Sequence, residues 1–297
     1  MTKSKSPARQ DRFWNSAEGL RLHYRDYAGP ADQPPLLCIP GLTRNARDFE
    51  GVAERLAGDW RVICVDLRGR GMSEYDPDPR RYALPAYVAD LMKLLDQLGI
   101  AEAVFVGTSL GGLITMAVAA GGDEERIAGA LLNDIGPDID RDGLEFIAQY
   151  VGKERHYPDW ASATRAVAEA QESRFPGFGE DDWARFTRRT FAERDGAVRP
   201  DYDLKIADNF AVALDAPPVD AWPYYRALAG RPVTLLRGTL SDLFSTATAE
   251  RMVREIPDVE LVEVPNVGHA PTLDEPESIA ALDRLLTRVR ESSSPVS

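Results

Sequence analysis

Gly107-Thr108-Ser109-Leu110-Gly111 places a serine between two glycines, one two positions before it and one two positions after. A serine hydroxyl becomes a useful nucleophile when a base within hydrogen-bond reach takes its proton. The flanking glycines remove side chains that would collide in a sharp turn, and the central residue then takes a strained backbone that pushes the hydroxyl out. The chain has three histidines, His23, His156 and His269. His269 stands in Val264-Pro-Asn-Val-Gly268-His269-Ala-Pro271, a Gly/Pro-rich loop that follows an apolar run. His23 lies in an alternating stretch near the amino terminus, and His156 lies among charged residues. An acid is needed to orient the imidazole, and Asp242 in Leu236-Arg-Gly238-Thr-Leu-Ser-Asp242 also follows an apolar run. A serine, a histidine and a carboxylate of this kind support acyl transfer through a serine ester.

The elements that must carry these residues are legible from hydrophobic periodicity. Ala103-Val-Phe-Val reads as a buried strand entering the turn, and the Ala-rich apolar run after Gly111 reads as a helix leaving it. The first amides of that helix, Leu110 in particular, then lie beside any charge that forms next to Ser109. Arg12 to Tyr27 suggests a hairpin, with a turn at Ala17-Glu-Gly19 and Leu22 and Tyr24 alternating with His23 and Arg25 as in a half-exposed strand. Pro35 to Ile39, Trp60 to Asp66, Ile127 to Asn133, Pro232 to Leu236 and Val259 to Val264 are further strands. Between them run helical patterns, with Asn45 a candidate N-cap for one and Pro276 near the first turn of the last. Alternating strands and helices imply an α/β fold with a mostly parallel sheet and helices on both faces, and with ligands beyond the carboxyl ends of the strands. The rhythm breaks over 138–228, a segment rich in charge and aromatic rings and without a clear buried strand. It reads as a helical cap inserted between two parts of a core, 1–137 and 229–297. Residues 1–10 and the tail 291–297 read as disordered by composition.

Taken together, Gly107-x-Ser109-x-Gly111, Asp66-Leu-Arg-Gly-Arg-Gly-Met-Ser73 after one strand and Gly268-His269 before the final helix resemble the α/β-hydrolase fold family. The order Ser109, Asp242, His269 along the chain is that family's order. The resemblance implies an eight-stranded, mostly parallel sheet with a cap. It implies hydrolysis of a small-molecule ester with no cofactor and no metal; the aromatic rings of the inserted segment suggest an apolar pocket, and with the net negative charge they favour a neutral, apolar ester. Some members place the acid on an earlier strand end, which here would be Asp134 in Asn133-Asp-Ile-Gly-Pro137, and Asp242 is preferred over it. The usual His-Gly of the oxyanion loop is Pro40-Gly41 here, a departure from the family; the family takes one oxyanion amide from the residue after that Gly, which carries over to Leu42, and Leu110 supplies the second. Arg44, just after that loop, is a candidate substrate contact, although capping or surface charge is the simpler role. Carbon–carbon hydrolases, lactonases, acyltransferases and non-catalytic ligand-binding members share the constellation and remain open.

Composition narrows the partners. The 48 acidic and 35 basic residues give a net charge of −13, which repels nucleic acid and anionic membrane, and no basic stripe offsets it. The polar start of the chain has no apolar signal region, so a cytoplasmic location is expected. Cys38 and Cys64 lie in apolar runs without a zinc or CxxC pattern. Gly69-Arg-Gly71 lacks the third glycine of a dinucleotide fingerprint, since position 74 is Glu.

Overall fold

A computed structural model describes residues 9–215 and 219–293. The terminal stretches read as disordered fall largely outside the described residues. Where they are described, Gln10 already opens a strand and the last helix continues to Ser293.

Eight strands form one sheet. β1 (Gln10–Asn15) and β2 (Arg21–Tyr27) make the amino-terminal hairpin, followed by β3 (Leu36–Ile39), β4 (Val62–Val65), β5 (Ala103–Thr108) and β6 (Ile127–Asn133). A separate two-stranded hairpin, β7 (Phe191–Arg194) and β8 (Ala197–Pro200), lies in the inserted segment. The main sheet then resumes with β9 (Val233–Gly238) and β10 (Glu260–Val264). Its order is β1-β2-β4-β3-β5-β6-β9-β10, antiparallel at β1-β2-β4 and parallel from β4 onward.

The central strands are continuous apolar runs because both of their faces are covered. Alternation sends Leu37, Ile39, Phe105 and Leu132 to one face and Leu36, Cys38, Val104, Val106 and Leu131 to the other. The first face packs on α2 (Leu84–Leu98), α3 (Leu110–Val118) and α9 (Thr246–Glu255); the second packs on α1 (Glu50–Leu56) and α10 (Pro276–Ser293). The two cysteines sit side by side in the β3–β4 register, buried and unoxidised, and burial pushes the Cys64 thiol up. Asn45 caps the short turn that leads into α1, its side chain accepting from Arg47 N–H at 3.1 Å.

The inserted segment carries α4 (Arg141–Ala148), α5 (Trp160–Gln171), α6 (Glu180–Thr190), the β7–β8 hairpin and α7 (Ile206–Asp215). Phe175, Trp183, Phe191 and Val198 form a small core there together with Val264 and Val267, next to β10. The short α8 (Trp222–Arg226) instead packs Trp222 and Tyr225 into the main core, where the Tyr225 hydroxyl donates to Met252 O at 2.9 Å. Among the described residues, no helix is long and apolar enough to cross a membrane.

Candidate active site

Ser109 joins β5 to α3 with φ 52° and ψ −114°, a left-handed backbone that a β-carbon-bearing residue seldom takes. The glycines around it are there for want of room. A Cβ on Gly107 would stand 2.5 Å from the Gly111 carbonyl, and one on Gly111 would stand 2.1 Å from the Ile39 carbonyl of β3. The strand and helix can therefore meet only if both positions are bare, and Ser109 is held above the carboxyl edge of the sheet.

His269 follows β10 and reaches back across that edge. The Ser109 hydroxyl donates to His269 Nε2 at 2.9 Å, and His269 Nδ1–H donates to Asp134 Oδ2 at 2.8 Å. This corrects the preference for Asp242. Asp134 is fully buried and also accepts from Gly238 N–H at 2.8 Å and from the Ser241 hydroxyl at 2.6 Å. Asp242 lines the same cavity but forms an ion pair with Arg174, and a third of its side chain is exposed. The reason is the order of strands. β6 lies directly beside β5, with Asn133 opposite Thr108, so the residue that ends β6 emerges next to Ser109. β9 is one strand further away, and its loop turns back so that Ser241, one residue before Asp242, meets Asp134.

Asn133 and Ser241 are functional positions that sequence reasoning passed over. Asn133 Nδ2–H donates to Thr108 Oγ1 at 3.1 Å and to Pro271 O at 2.8 Å, tying the strand that carries Ser109 to the loop that carries His269. Of the other histidines, His156 is exposed and pairs with Glu154 at 2.8 Å. His23 is buried rather than half-exposed, between Asp66 at 2.7 Å and Asp11 at 3.1 Å.

The loop after β3 approaches Ser109 so closely that a Cβ on Gly41 would lie 3.6 Å from the serine Cβ. Leu42 lines the cavity beside Ser109 and His269, and Leu110 opens α3, where N–H groups have no intrahelical partner. This loop has Pro40 in place of the family's usual histidine. Arg70 holds it: this fully buried guanidinium donates from Nε to Leu42 O at 2.9 Å and from Nη1 to Arg68 O at 2.6 Å. Asp66 supports the next turn, accepting from Ala46 N–H at 2.7 Å and Met72 N–H at 2.9 Å.

The cavity over Ser109 measures about 390 Å³ and is roofed by the inserted segment. Phe146, Ile147, Tyr150, Phe186, Phe191 and Tyr202 supply apolar wall, whereas Trp160, Trp183 and Trp222 do not reach it. Burial pushes the Tyr150 phenol up to about 12, so it remains a hydrogen-bond donor. The lining is less apolar than the aromatic content of the segment suggested, because Arg44, Lys153, Arg155, Arg174 and Arg189 also border it. Arg44 is committed elsewhere: it grips both oxygens of Asp48 at 2.6 and 2.8 Å, donates to Thr190 and lies over the Phe186 ring.

Comparison with known proteins agrees with this fold. Residues 36–282 match the profile described as Alpha/beta hydrolase family. A 3-hydroxybutyrate-oligomer hydrolase of Cupriavidus necator is 34% identical over 281 residues, 92% of this chain and 95% of the relative. A 2-(acetamidomethylene)succinate hydrolase of Mesorhizobium japonicum is 28% identical over 238 residues, 80% of this chain and 81% of the relative. The crystal structure of an alpha/beta hydrolase from Novosphingobium aromaticivorans superposes with a TM-score of 0.91 at 51% identity, covering 95% of this chain and 99% of that one.

Proposed function

The chain belongs to the alpha/beta hydrolase family, and from that premise we propose that it hydrolyses carboxylic esters through an acyl-serine intermediate. The observation that carries this reading is the hydrogen-bonded line Ser109–His269–Asp134 at the strained turn after β5. Ser109 Oγ attacks the ester carbonyl while His269 Nε2 takes its proton. Asp134 holds the imidazole in the tautomer with Nδ1–H and stabilises the cation that forms. The Leu42 and Leu110 amides bind the oxyanion of the tetrahedral intermediate. His269 then protonates the leaving alkoxide, and a water molecule, deprotonated by the same imidazole, releases the acid and restores Ser109.

The substrate that fits is a short ester of a hydroxy acid. Its support is the 34% likeness to a 3-hydroxybutyrate-oligomer hydrolase along nearly the whole of both chains, and a cavity of about 390 Å³ suited to a small molecule. The expectation of a neutral, apolar ester loses ground to the cations that border the cavity. A second reading, in which the same three residues cleave a bond other than an ester, is favoured by the 28% likeness to a 2-(acetamidomethylene)succinate hydrolase.

A fluorophosphonate probe should label the wild-type protein covalently and fail to label Ser109→Ala, and p-nitrophenyl acetate should be turned over only by the wild type. A folded wild-type protein that neither takes the label nor releases p-nitrophenol would reject the acyl-serine reading.

A further inference from the structure

Five cations border the cavity of a protein whose net charge is −13. Three of them already hold a carboxylate: Arg44 is paired with Asp48, Arg174 with Asp242 and Arg189 with Asp274. Among the described residues, the two acids in the cavity wall, Asp48 and Asp242, are thereby neutralised. Lys153 and Arg155 are left over, and among the described residues neither side chain has a hydrogen bond or an ion pair. Many arginines of this chain hold a carboxylate, as Arg44, Arg174 and Arg189 do, whereas the half-buried Arg155 borders the cavity and holds none.

The backbone explains how both come to face the same space. Residues 153–156 run without helical structure between α4 and α5, so side chains alternate from one side to the other. Lys153 and Arg155 border the cavity, whereas Glu154 and His156 point away and pair with each other at 2.8 Å. The acid of the segment is thus turned outward and the two cations inward. The segment is pinned at both ends. Gly152 N–H donates to the Tyr202 hydroxyl at 3.2 Å, and Tyr157 exchanges backbone hydrogen bonds of 3.0 and 2.9 Å with Val198 of β8. A pinned segment presents its charges without having to be ordered when a ligand arrives.

We propose that Lys153 and Arg155 form an anion subsite that binds a free carboxylate on the substrate, selecting esters that carry an acid group at one end over neutral ones. This rests on the reading that Ser109 hydrolyses an ester in the same cavity. Arg155 supplies the planar fork suited to a carboxylate, and the more exposed Lys153 adds a point charge at the entrance. A linear dimer of a hydroxy acid has such a group: its internal ester is the bond to be cleaved, and its terminal carboxylate is the handle.

The test uses the linear dimer of 3-hydroxybutyrate as the free acid and as its carboxamide, which differ in charge at the far end alone. The wild type should favour the acid in kcat/KM by about ten- to a hundredfold, the range of one charge-assisted hydrogen bond, with the difference carried by KM. In the double variant Lys153→Met/Arg155→Met the ratio of acid to carboxamide should fall to about one, and Arg155→Lys should restore part of it. General damage to the fold would lower both substrates together and leave the ratio unchanged, which would overturn the subsite. The binding arm is independent of turnover: Ser109→Ala should bind the acid more tightly than the carboxamide by calorimetry, and lose that preference when Lys153 and Arg155 are also replaced. Preferential binding of the acid without hydrolysis by the wild type would keep the subsite and reject ester cleavage. Hydrolysis of both dimers at equal kcat/KM, with equal binding to Ser109→Ala, would keep ester cleavage and reject the subsite.

Discussion

At the scale of single residues, the contrast between Asp134 and Asp242 shows what makes a carboxylate fit to orient a histidine. Asp134 is fully buried and receives three donors, from Gly238 N–H, the Ser241 hydroxyl and His269 Nδ1–H. Its position is thereby over-determined, and its charge faces the imidazole through little water. Asp242 spends its charge on Arg174 and keeps a third of its side chain in solvent. Asp134→Asn is expected to keep the fold but lower kcat by about 10⁴-fold, because an amide accepts poorly and leaves the imidazole free to take the wrong tautomer. Asp242→Asn should leave most of kcat in place. Steady-state kinetics on p-nitrophenyl acetate checks both, and a reversed ranking would return the acid to the loop after β9. Ser241→Ala removes a single neutral donor from Asp134 and should lower kcat by about three- to tenfold, the effect of one such hydrogen bond.

At the scale of elements, the loop after β3 and the loop after β4 act as one piece. Arg70, from the second, holds the Leu42 carbonyl of the first, and Asp66 holds the backbone at Ala46 and Met72. The guanidinium is flanked by the rings of Tyr82 and Tyr87 at 5.6 and 5.0 Å, which fixes its direction. The loop that carries Leu42, whose N–H the proposed mechanism uses as an oxyanion donor, is thus held by a side chain that does not line the cavity. Replacing Arg70 by Met frees the loop without emptying the core position, and about 10- to 100-fold of kcat should be lost, less than the loss of a whole oxyanion donor. KM should change little, because the oxyanion forms only after binding. Arg70→Lys retains a donor and should recover part of the rate. A Met variant with unchanged kcat and raised KM would show that Arg70 shapes the pocket instead of the hole.

For the molecule as a whole, the buried charge behind the site is a large structural commitment. Arg68 is fully buried and reaches Asp90 at 2.6 and 2.7 Å, Asp76 at 2.7 Å and Glu18 at 3.1 Å. Burial alone would raise the Asp76 carboxyl, but hydrogen bonds from Arg81 and Asp78 N–H and the charge of Arg68 outweigh it and hold the group below the usual carboxylate range. A depressed folded pKa gives stability that is complete above the unfolded value, about 3.9, and is lost as pH falls through the folded one. Asp76→Asn should therefore cost on the order of 2 kcal/mol at pH 7, and the gap to wild type should close as pH drops below about 4. Asp90 has the opposite sign, since burial holds its carboxyl above the usual range in spite of Arg68, and its contribution grows as pH falls through that raised value. Urea unfolding of the wild type and Asp76→Asn across pH 3 to 7 is the measurement. A gap that stays constant with pH would show that Asp76 acts through packing.

What the sequence determined by itself was everything that depends on near neighbours along the chain. Gly107 and Gly111 stand two residues either side of Ser109, the spacing of a tight strand–helix turn that leaves no room for side chains at those two positions. The continuous apolar runs of β3 to β6 must be buried on both faces because no polar side is present. His269 was readable because a Gly/Pro loop after a strand leaves few places for a base to stand, and the chain offers few histidines. The tertiary structure alone decided which acid meets it. Asp134 and Asp242 both follow strands, and their difference lies in β6 being hydrogen-bonded to β5 while β9 is not. Strand order is set by packing across the sheet, which leaves no mark on the residues next to either aspartate. The same holds for the anchor at Arg70 and for the unpaired charges of Lys153 and Arg155. A charged side chain reads alike in sequence whether its partner is an acid 68 residues away, as for Arg174 and Asp242, or an open cavity, and only the folded chain brings the acids close enough to tell the two apart.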